Sequence, residues 1–134
     1  MNQEPKLKIL LIEDDKLTID LYEEIFRRNN FDIETIKWGK DAIKRLKEIG
    51  EEKRPKPDLI LLDLILPDIS GLSILKEAKR YFQTKDLKIF VLTNYTNPNL
   101  NKELIKEGIN KILLKTEFTP KKLVEFIKES LGVK

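Results

Sequence analysis

The chain has no cysteine and no histidine among its 134 residues. The first absence excludes a disulfide framework and any thiolate metal site. The second removes the commonest general base and the commonest zinc ligand together. Aromatic residues make up only 7% of the chain, and no arginine–aromatic cluster of the kind that grips nucleic acid occurs. No apolar run approaches the ~18 residues that a bilayer-spanning helix needs. The first residues, Met1-Asn2-Gln3-Glu4-Pro5-Lys6, carry an acid and a proline and no apolar signal region, so export is not indicated. Chemistry is left to carboxylates, hydroxyls, lysines and a hard metal ion.

What is present describes a water-soluble globular chain: 40% hydrophobic and 37% charged residues. That length suits one domain over residues 1–134, with a core of about 6–131 and no room for an output domain. The net charge of +3 is spread over interspersed acids and bases, as in Glu23-Glu24 followed by Arg27-Arg28. Lysine far outnumbers arginine, which reads as a solvated exterior, with no direct nucleic-acid or membrane partner. The expected location is the cytoplasm.

The most informative stretch runs from Pro57 to Gly71. Its apolar run Leu59–Leu62, fenced by prolines and too short for a helix, predicts a strand buried on both faces. Asp63 stands at the C-terminal end of that strand, the edge where open parallel sheets collect ligands. Pro67 fixes the backbone beyond it, and Gly71 permits the turn into the next helix.

Around this stretch the pattern alternates. Lys8–Ile12 is a first apolar strand, closed by Glu13-Asp14-Asp15. Lys16–Asn30 predicts an amphipathic helix with one stripe of Leu17, Leu21 and Ile25 beside Tyr22 and Phe26, stopped by Asn29-Asn30. Phe31–Ile36 alternates like an edge strand. Trp38-Gly39 breaks it, and helical spacing resumes over Lys40–Ile49. Gly50–Pro57 is a charged loop with no sign of a site. Leu72, Ile74, Leu75, Ala78 and Phe82 mark a third helix, and Leu87–Leu92 a fourth strand that runs into Thr93. Pro98 opens a fourth helix and Gly108 closes it. Lys111–Leu114 is a fifth strand ending at Lys115. Thr119-Pro120 caps a last helix through Leu131. Five strands alternating with five helices predict a parallel α/β sheet, doubly wound with helices on both faces.

Four of the five strands end in residues of a specific polar kind, namely Glu13-Asp14, Asp63, Thr93 and Lys115. In a parallel sheet these ends share an edge. Neighbouring carboxylates destabilise each other's charge unless a cation lies between them. Mg²⁺ fits that role, since it takes oxygen ligands and needs only one or two carboxylates. A lysine and a threonine hydroxyl at the same edge complete a set suited to a phosphoryl group.

These residues carry a resemblance. The segments Leu11-Ile12-Glu13-Asp14-Asp15, Leu61-Leu62-Asp63 with Pro67 and Gly71, Val91-Leu92-Thr93, and Leu114-Lys115 resemble the receiver domain of two-component response regulators, the CheY-like family. The spacings agree as well: Thr93 follows Asp63 by 30 positions, and Lys115 follows Thr93 by 22. The resemblance covers about Lys6 to Leu131. It implies a flavodoxin-like, three-layer sandwich with strand order 2-1-3-4-5. It makes Asp63 the phosphoacceptor from a sensor histidine kinase or histidine phosphotransfer protein. Asp14, Asp63 and the Ile65 carbonyl become ligands of Mg²⁺, with Mn²⁺ as a substitute, and Glu13 acts through water. Thr93 and Lys115 contact the phosphoryl group. The implied activity is self-phosphorylation with slow autophosphatase chemistry, a signalling device and not a turnover enzyme.

Several positions depart from that family's pattern. Asn94 replaces the usual small residue after the threonine, Ile112 replaces the switch aromatic, and Thr116 replaces the usual proline after the lysine. Ile65 and Tyr95, two beyond Asp63 and Thr93, flank the path of an attacking water and cannot act as bases, so a long-lived phosphoryl state is expected. Leu17 and Ile19, near the start of the first helix, are candidate contacts for the donor, at least one of them facing outward. The fourth helix, fifth strand and fifth helix form the expected face for a downstream protein or a homodimer. The rival readings are a degenerate receiver that binds without phosphorylation and a flavodoxin-like ligand-binding domain. The first requires loss of an acid or the lysine. The second requires a glycine- or hydroxyl-rich phosphate loop where Glu13-Asp14-Asp15 stands.

Overall fold

The structure is a computed structural model that describes residues 6–94 and 97–133. Five strands, β1 (Leu7–Ile12), β2 (Phe31–Ile36), β3 (Leu59–Leu62), β4 (Ile89–Thr93) and β5 (Lys111–Leu114), alternate with α1 (Lys16–Arg28), α2 (Gly39–Gly50), α3 (Gly71–Ala78), α4 (Pro98–Lys106) and α5 (Pro120–Ser130). A 3-10 turn, Lys115–Glu117, follows β5. All pairings are parallel and the strand order is β2-β1-β3-β4-β5. This is the doubly wound α/β sheet expected from the alternation. Among the described residues no helix is long and apolar enough to cross a membrane.

The strand period of two divides the core into two layers. Leu59 and Leu61 join Ile9, Leu11, Phe90, Leu92 and Leu113 on the face covered by α1 and α5. Ile60 and Leu62 join Leu10, Ile12, Ile89 and Val91 on the face covered by α2, α3 and α4. That is why β3 reads as an unbroken apolar run: both of its faces are covered.

The helix ends follow local chemistry. Asp15 accepts from the Thr18 N–H at 3.0 Å and from the Thr18 hydroxyl at 2.6 Å, opening α1. Asn30 takes a left-handed φ of 67° where the chain leaves that helix, and Gly108 one of 90° after α4. Thr119 accepts from the Lys122 N–H to start α5.

Three expectations from the pattern need correction. The buried face of α1 is Ile19, Tyr22 and Phe26, while Leu17 is 80% and Leu21 49% exposed. At about 100° per residue Leu17, Leu21 and Ile25 do form one stripe, about 80° wide, but Ile19, Tyr22 and Phe26 form a second one centred almost opposite Leu17, and it is this second stripe that meets the sheet. Ile19 is therefore a core residue and leaves the candidate partner face to Leu17. The third helix stops at Ala78, whose carbonyl accepts the Thr84 hydroxyl at 2.5 Å, so Phe82 lies in the following turn, 78% exposed. Finally, β4 begins at Ile89, two residues later than the apolar run suggested.

Gly71 is needed for space and not for an unusual φ. A Cβ there would lie 2.8 Å from the Leu64 Cα and 2.9 Å from the Asp63 carbonyl oxygen, and backbone cannot yield as a side-chain tip does. Gly71→Ala is therefore expected to cost about 1–3 kcal/mol, the usual range for overpacking. Denaturant unfolding checks this; a midpoint equal to that of the unsubstituted protein contradicts the close approach.

Candidate functional site

The register of the sheet brings the chemistry together. Ile12 pairs with both Ile36 and Leu62, so Glu13 and Asp63 emerge side by side from β1 and β3. Their backbones are tied in place: the Glu13 N–H donates to the Ile36 carbonyl and the Asp63 N–H to the Ile12 carbonyl, each at 3.0 Å. The alternation that sends Leu11, Leu61 and Leu113 to the α1–α5 face places Glu13, Asp63 and Lys115, each two residues on, on that same side. Thr93, in register with Leu114, lies fully buried at the end of β4.

The Lys115 ammonium donates to the Glu13 Oε1 and, at 3.3 Å, to the Asp63 Oδ2. Glu13 is only 2% exposed, and its other oxygen accepts the N–H groups of Asp14 and Asp15 at 3.0 and 3.1 Å. Asp63 Oδ1 accepts the Ile65 N–H at 3.2 Å. A cavity of about 440 Å³ opens over this set, lined by Asp14, Thr93, Asn94 and Ile65 among others.

Electrostatics follow from burial. Desolvation pushes the Glu13 carboxyl above its ordinary value, against the lowering pull of the Lys115 and Asp15 hydrogen bonds, and the Asp63 charge adds to the rise. Burial alone pulls Lys115 down, yet its hydrogen bond to Glu13 and the charges of Asp63 and Glu13 outweigh that and raise it. Ligand oxygens of Glu13, Asp14 and Asp63 lie within 4.8 Å of one another. Three carboxylates against one ammonium leave a local deficit of two charges, all on hard oxygen donors. That donor set fits a divalent metal ion.

The residues singled out by the sequence mostly converge. Asp14, Asp63, Glu13, Thr93, Lys115, Ile65 and Asn94 all line the one cavity. Ile112 is half-buried, packed against the α2–α4 layer away from that cavity. Tyr95 lies outside the described residues. After Lys115 the chain takes the 3-10 turn, and Phe118 beyond it packs edge-on to Phe126, ring centres 5.5 Å apart. Asp15, third in the run of acids after β1, uses its carboxylate to cap α1. The Asp-x-x-Thr spacing before an amphipathic run is the sequence signal that separates it from its neighbours.

Two outcomes are expected. With Mg²⁺ at about tenfold its Kd, native-state binding stabilises the fold by about 1.4 kcal/mol, seen as a rise in Tm. Asp14→Asn should raise the metal-free Tm, by relieving carboxylate repulsion, and abolish the Mg²⁺-dependent rise. A Tm insensitive to Mg²⁺ in the unsubstituted chain contradicts the assignment. Lys115→Met leaves the buried Glu13 carboxylate uncompensated, at a cost of about 1–3 kcal/mol. Because the folded pKa of Lys115 is raised, its contribution is complete below its ordinary 10.5 and is lost as pH rises through the folded value. The stability gap between the two proteins should therefore hold at neutral pH and narrow in strong alkali, as chemical denaturation across pH will test.

Comparisons with known proteins agree with this geometry. A family model described as the response regulator receiver domain matches residues 9–128. Response regulator Rcp1 of Synechocystis sp. is 38% identical over 96 residues, covering 69% of this chain and 65% of that protein. The response regulator VraR of Staphylococcus saprophyticus is 28% identical over 113 residues, 82% of this chain but 50% of VraR. The chain thus spans between half and two-thirds of the length of these relatives. The crystal structure of the phosphorylated cyanobacterial phytochrome response regulator RcpA superposes with a TM-score of 0.79 at 29% identity, covering 94% of this chain and 91% of that one. The Mn²⁺-bound form of Rcp1 does so with a TM-score of 0.79 at 31% identity, covering 93% of each. With the strand order, the acidic cluster and the strand-end lysine in place, the chain belongs to the response regulator receiver domain family.

Proposed function

We propose that this receiver domain accepts a phosphoryl group on Asp63 from a phosphohistidine of a sensor histidine kinase or histidine phosphotransfer protein. The observation that carries the reading is the Asp63 carboxylate. It sits at the floor of an open cavity, one oxygen on the Lys115 ammonium and the other on the Ile65 N–H, at 3.3 and 3.2 Å. An Asp63 oxygen attacks phosphorus, the P–N bond breaks, and the donor imidazole leaves with its electron pair. Lys115 neutralises charge on the incoming group, and the Thr93 hydroxyl is the donor offered to it from the end of β4. Asp14, Asp63 and the Ile65 carbonyl, with Glu13 acting through water, would hold Mg²⁺ or Mn²⁺, which would supply charge neutralisation to the transfer.

The donor must reach this cavity from outside the sheet edge. Leu17, near the start of α1 and 80% exposed, is a candidate contact for it. The face of α4, β5 and α5 is the candidate surface for a downstream protein or a second copy, with Ile105 65% exposed on α4. Ile112 offers no rotating hydroxyl-bearing ring, so any change of state reaches that face through Thr93 and packing.

Incubation with acetyl phosphate and Mg²⁺ should add one phosphoryl group, detected by intact-protein mass, and Asp63→Asn should remain unmodified. An unmodified native chain with every phosphodonor offered, or an equally modified Asp63→Asn, overturns the reading. The Ile65 side chain is 61% exposed at the mouth of the site and carries no base. Slow loss of the aspartyl phosphate is therefore expected, followed by acid-quenched decay in the absence of a phosphatase. Decay within seconds refutes it.

A further inference from the structure

The loop between Asp63 and Gly71 is tethered at a point that the chemistry of the site does not explain. Asp68 lies outside the cavity, yet its Oδ1 accepts the Gly39 N–H at 2.8 Å and its Oδ2 the Lys40 N–H at 2.9 Å. These are donors of the first turn of α2, whose own capping position is Trp38, a residue with no side-chain acceptor to offer. The Lys40 and Gly39 bonds hold the Asp68 carboxyl below its ordinary value, as charge-assisted bonds do. The approach is close. A Cβ on Gly39 would fall 2.8 Å from the Ile69 Cβ and 3.1 Å from the Asp68 Oδ1, so only glycine lets the loop sit there.

The same loop is closed at its base. The Gly71 N–H donates to the Leu64 carbonyl at 3.0 Å, and Gly71 lies against the Leu64 Cα and the Asp63 carbonyl oxygen. Leu64 and Leu66 anchor its inner side in the same layer as Ala42 and Leu46 of α2. Ile65 lies between them with its side chain in solvent, so burial of that side chain does not fix it. Its N–H is nevertheless on Asp63. In the outer half Pro67, Asp68 and Ser70 are exposed; Ile69 packs partly buried against the α2–α4 layer, Ser70 accepts the Ser73 N–H to cap α3, and Asp68 is tied to α2 by its two bonds.

We propose that Asp68 is a positioning residue for the Asp63 site: it tethers the Asp63–Gly71 loop to the first turn of α2, sets the Ile65 backbone, and couples occupancy at Asp63 to that end of α2. The coupling half rests on the reading of Asp63 as phosphoacceptor and metal ligand; the tether half does not. Linkage is reciprocal, so whatever orders Ile65 from the Asp63 side must also steady Gly39 and Lys40.

The test is amide hydrogen exchange on the full chain for the native protein, Asp68→Ala and Asp68→Asn, with and without Mg²⁺, alongside Mg²⁺ affinity by calorimetry. Without metal, Asp68→Ala should speed exchange at Ile65 and Gly71 as well as at Gly39 and Lys40. Its Mg²⁺ affinity should fall about tenfold, the lower end of what outer partners of metal ligands are worth. Asp68→Asn, which keeps an acceptor oxygen, should recover part of both effects. In the native protein Mg²⁺ should slow exchange at Gly39 and Lys40. Asp58→Ala is the control, because it removes a carboxylate–amide bond to Lys8 at the opposite edge of the sheet. It should leave Mg²⁺ affinity unchanged. If faster exchange in Asp68→Ala is confined to Gly39 and Lys40 while Mg²⁺ affinity is retained, Asp68 only caps α2 and the proposal is overturned. A native chain that binds no Mg²⁺ overturns the coupling and the reading of Asp63 with it, whereas exchange at Ile65 without metal still decides the tether.

Discussion

One ammonium group holds the working edge of this domain together. Lys115 comes from the end of β5, Glu13 from β1 and Asp63 from β3, and the three meet although up to 102 positions separate them in the chain. A buried glutamate with a second carboxylate beside it is costly unless a positive charge and several donors satisfy it. Here the ammonium and two backbone N–H groups do so. The balance is left incomplete: two negative charges remain over, on oxygens grouped around an open cavity. A surplus of that kind on hard oxygen donors suits a divalent cation.

The rest of the fold serves that edge. Parallel register between β1, β2 and β3 aligns Ile36, Ile12 and Leu62, and thereby fixes where Glu13 and Asp63 leave the sheet. Two layers of aliphatic packing cover the strands, while Glu13, Asp14, Asp63 and Lys115 stand just beyond their C-terminal ends. The loop after Asp63 is tied down by close glycine contacts and carboxylate–amide bonds, at Gly71 and Asp68. Such ties are short in space and long in sequence.

The departures from the family pattern fall at different depths. Asn94 and Ile65 line the same cavity as Asp63. Ile112 packs into the α2–α4 layer. Leu17 and Ile19 illustrate how two neighbouring apolar residues divide. They stand two positions apart on α1, yet one is in solvent at 80% exposure and the other is 4% exposed in the core.

The element order, the parallel architecture and the four strand-end groups were legible in the chain alone, because each rests on local signals: apolar runs of strand length, caps, prolines and a fixed two-residue alternation. Asp63 could be singled out because a buried strand must end somewhere and the residue at its end faces the sheet edge. Three things were not legible. Which face of α1 turns inward depends on the packing of Ile19, Tyr22 and Phe26 against the sheet, and candidate apolar stripes overlap on a short helix. Where the third helix stops depends on a hydroxyl six residues beyond it. That Asp68, and no other exposed acid, holds the first turn of α2 from 28 and 29 positions away is a choice among chemically equal carboxylates. Composition and spacing set the cast of acids; only tertiary contact decides which donor each acid meets, because a hydrogen bond is made by distance in space and a chain position carries no such distance.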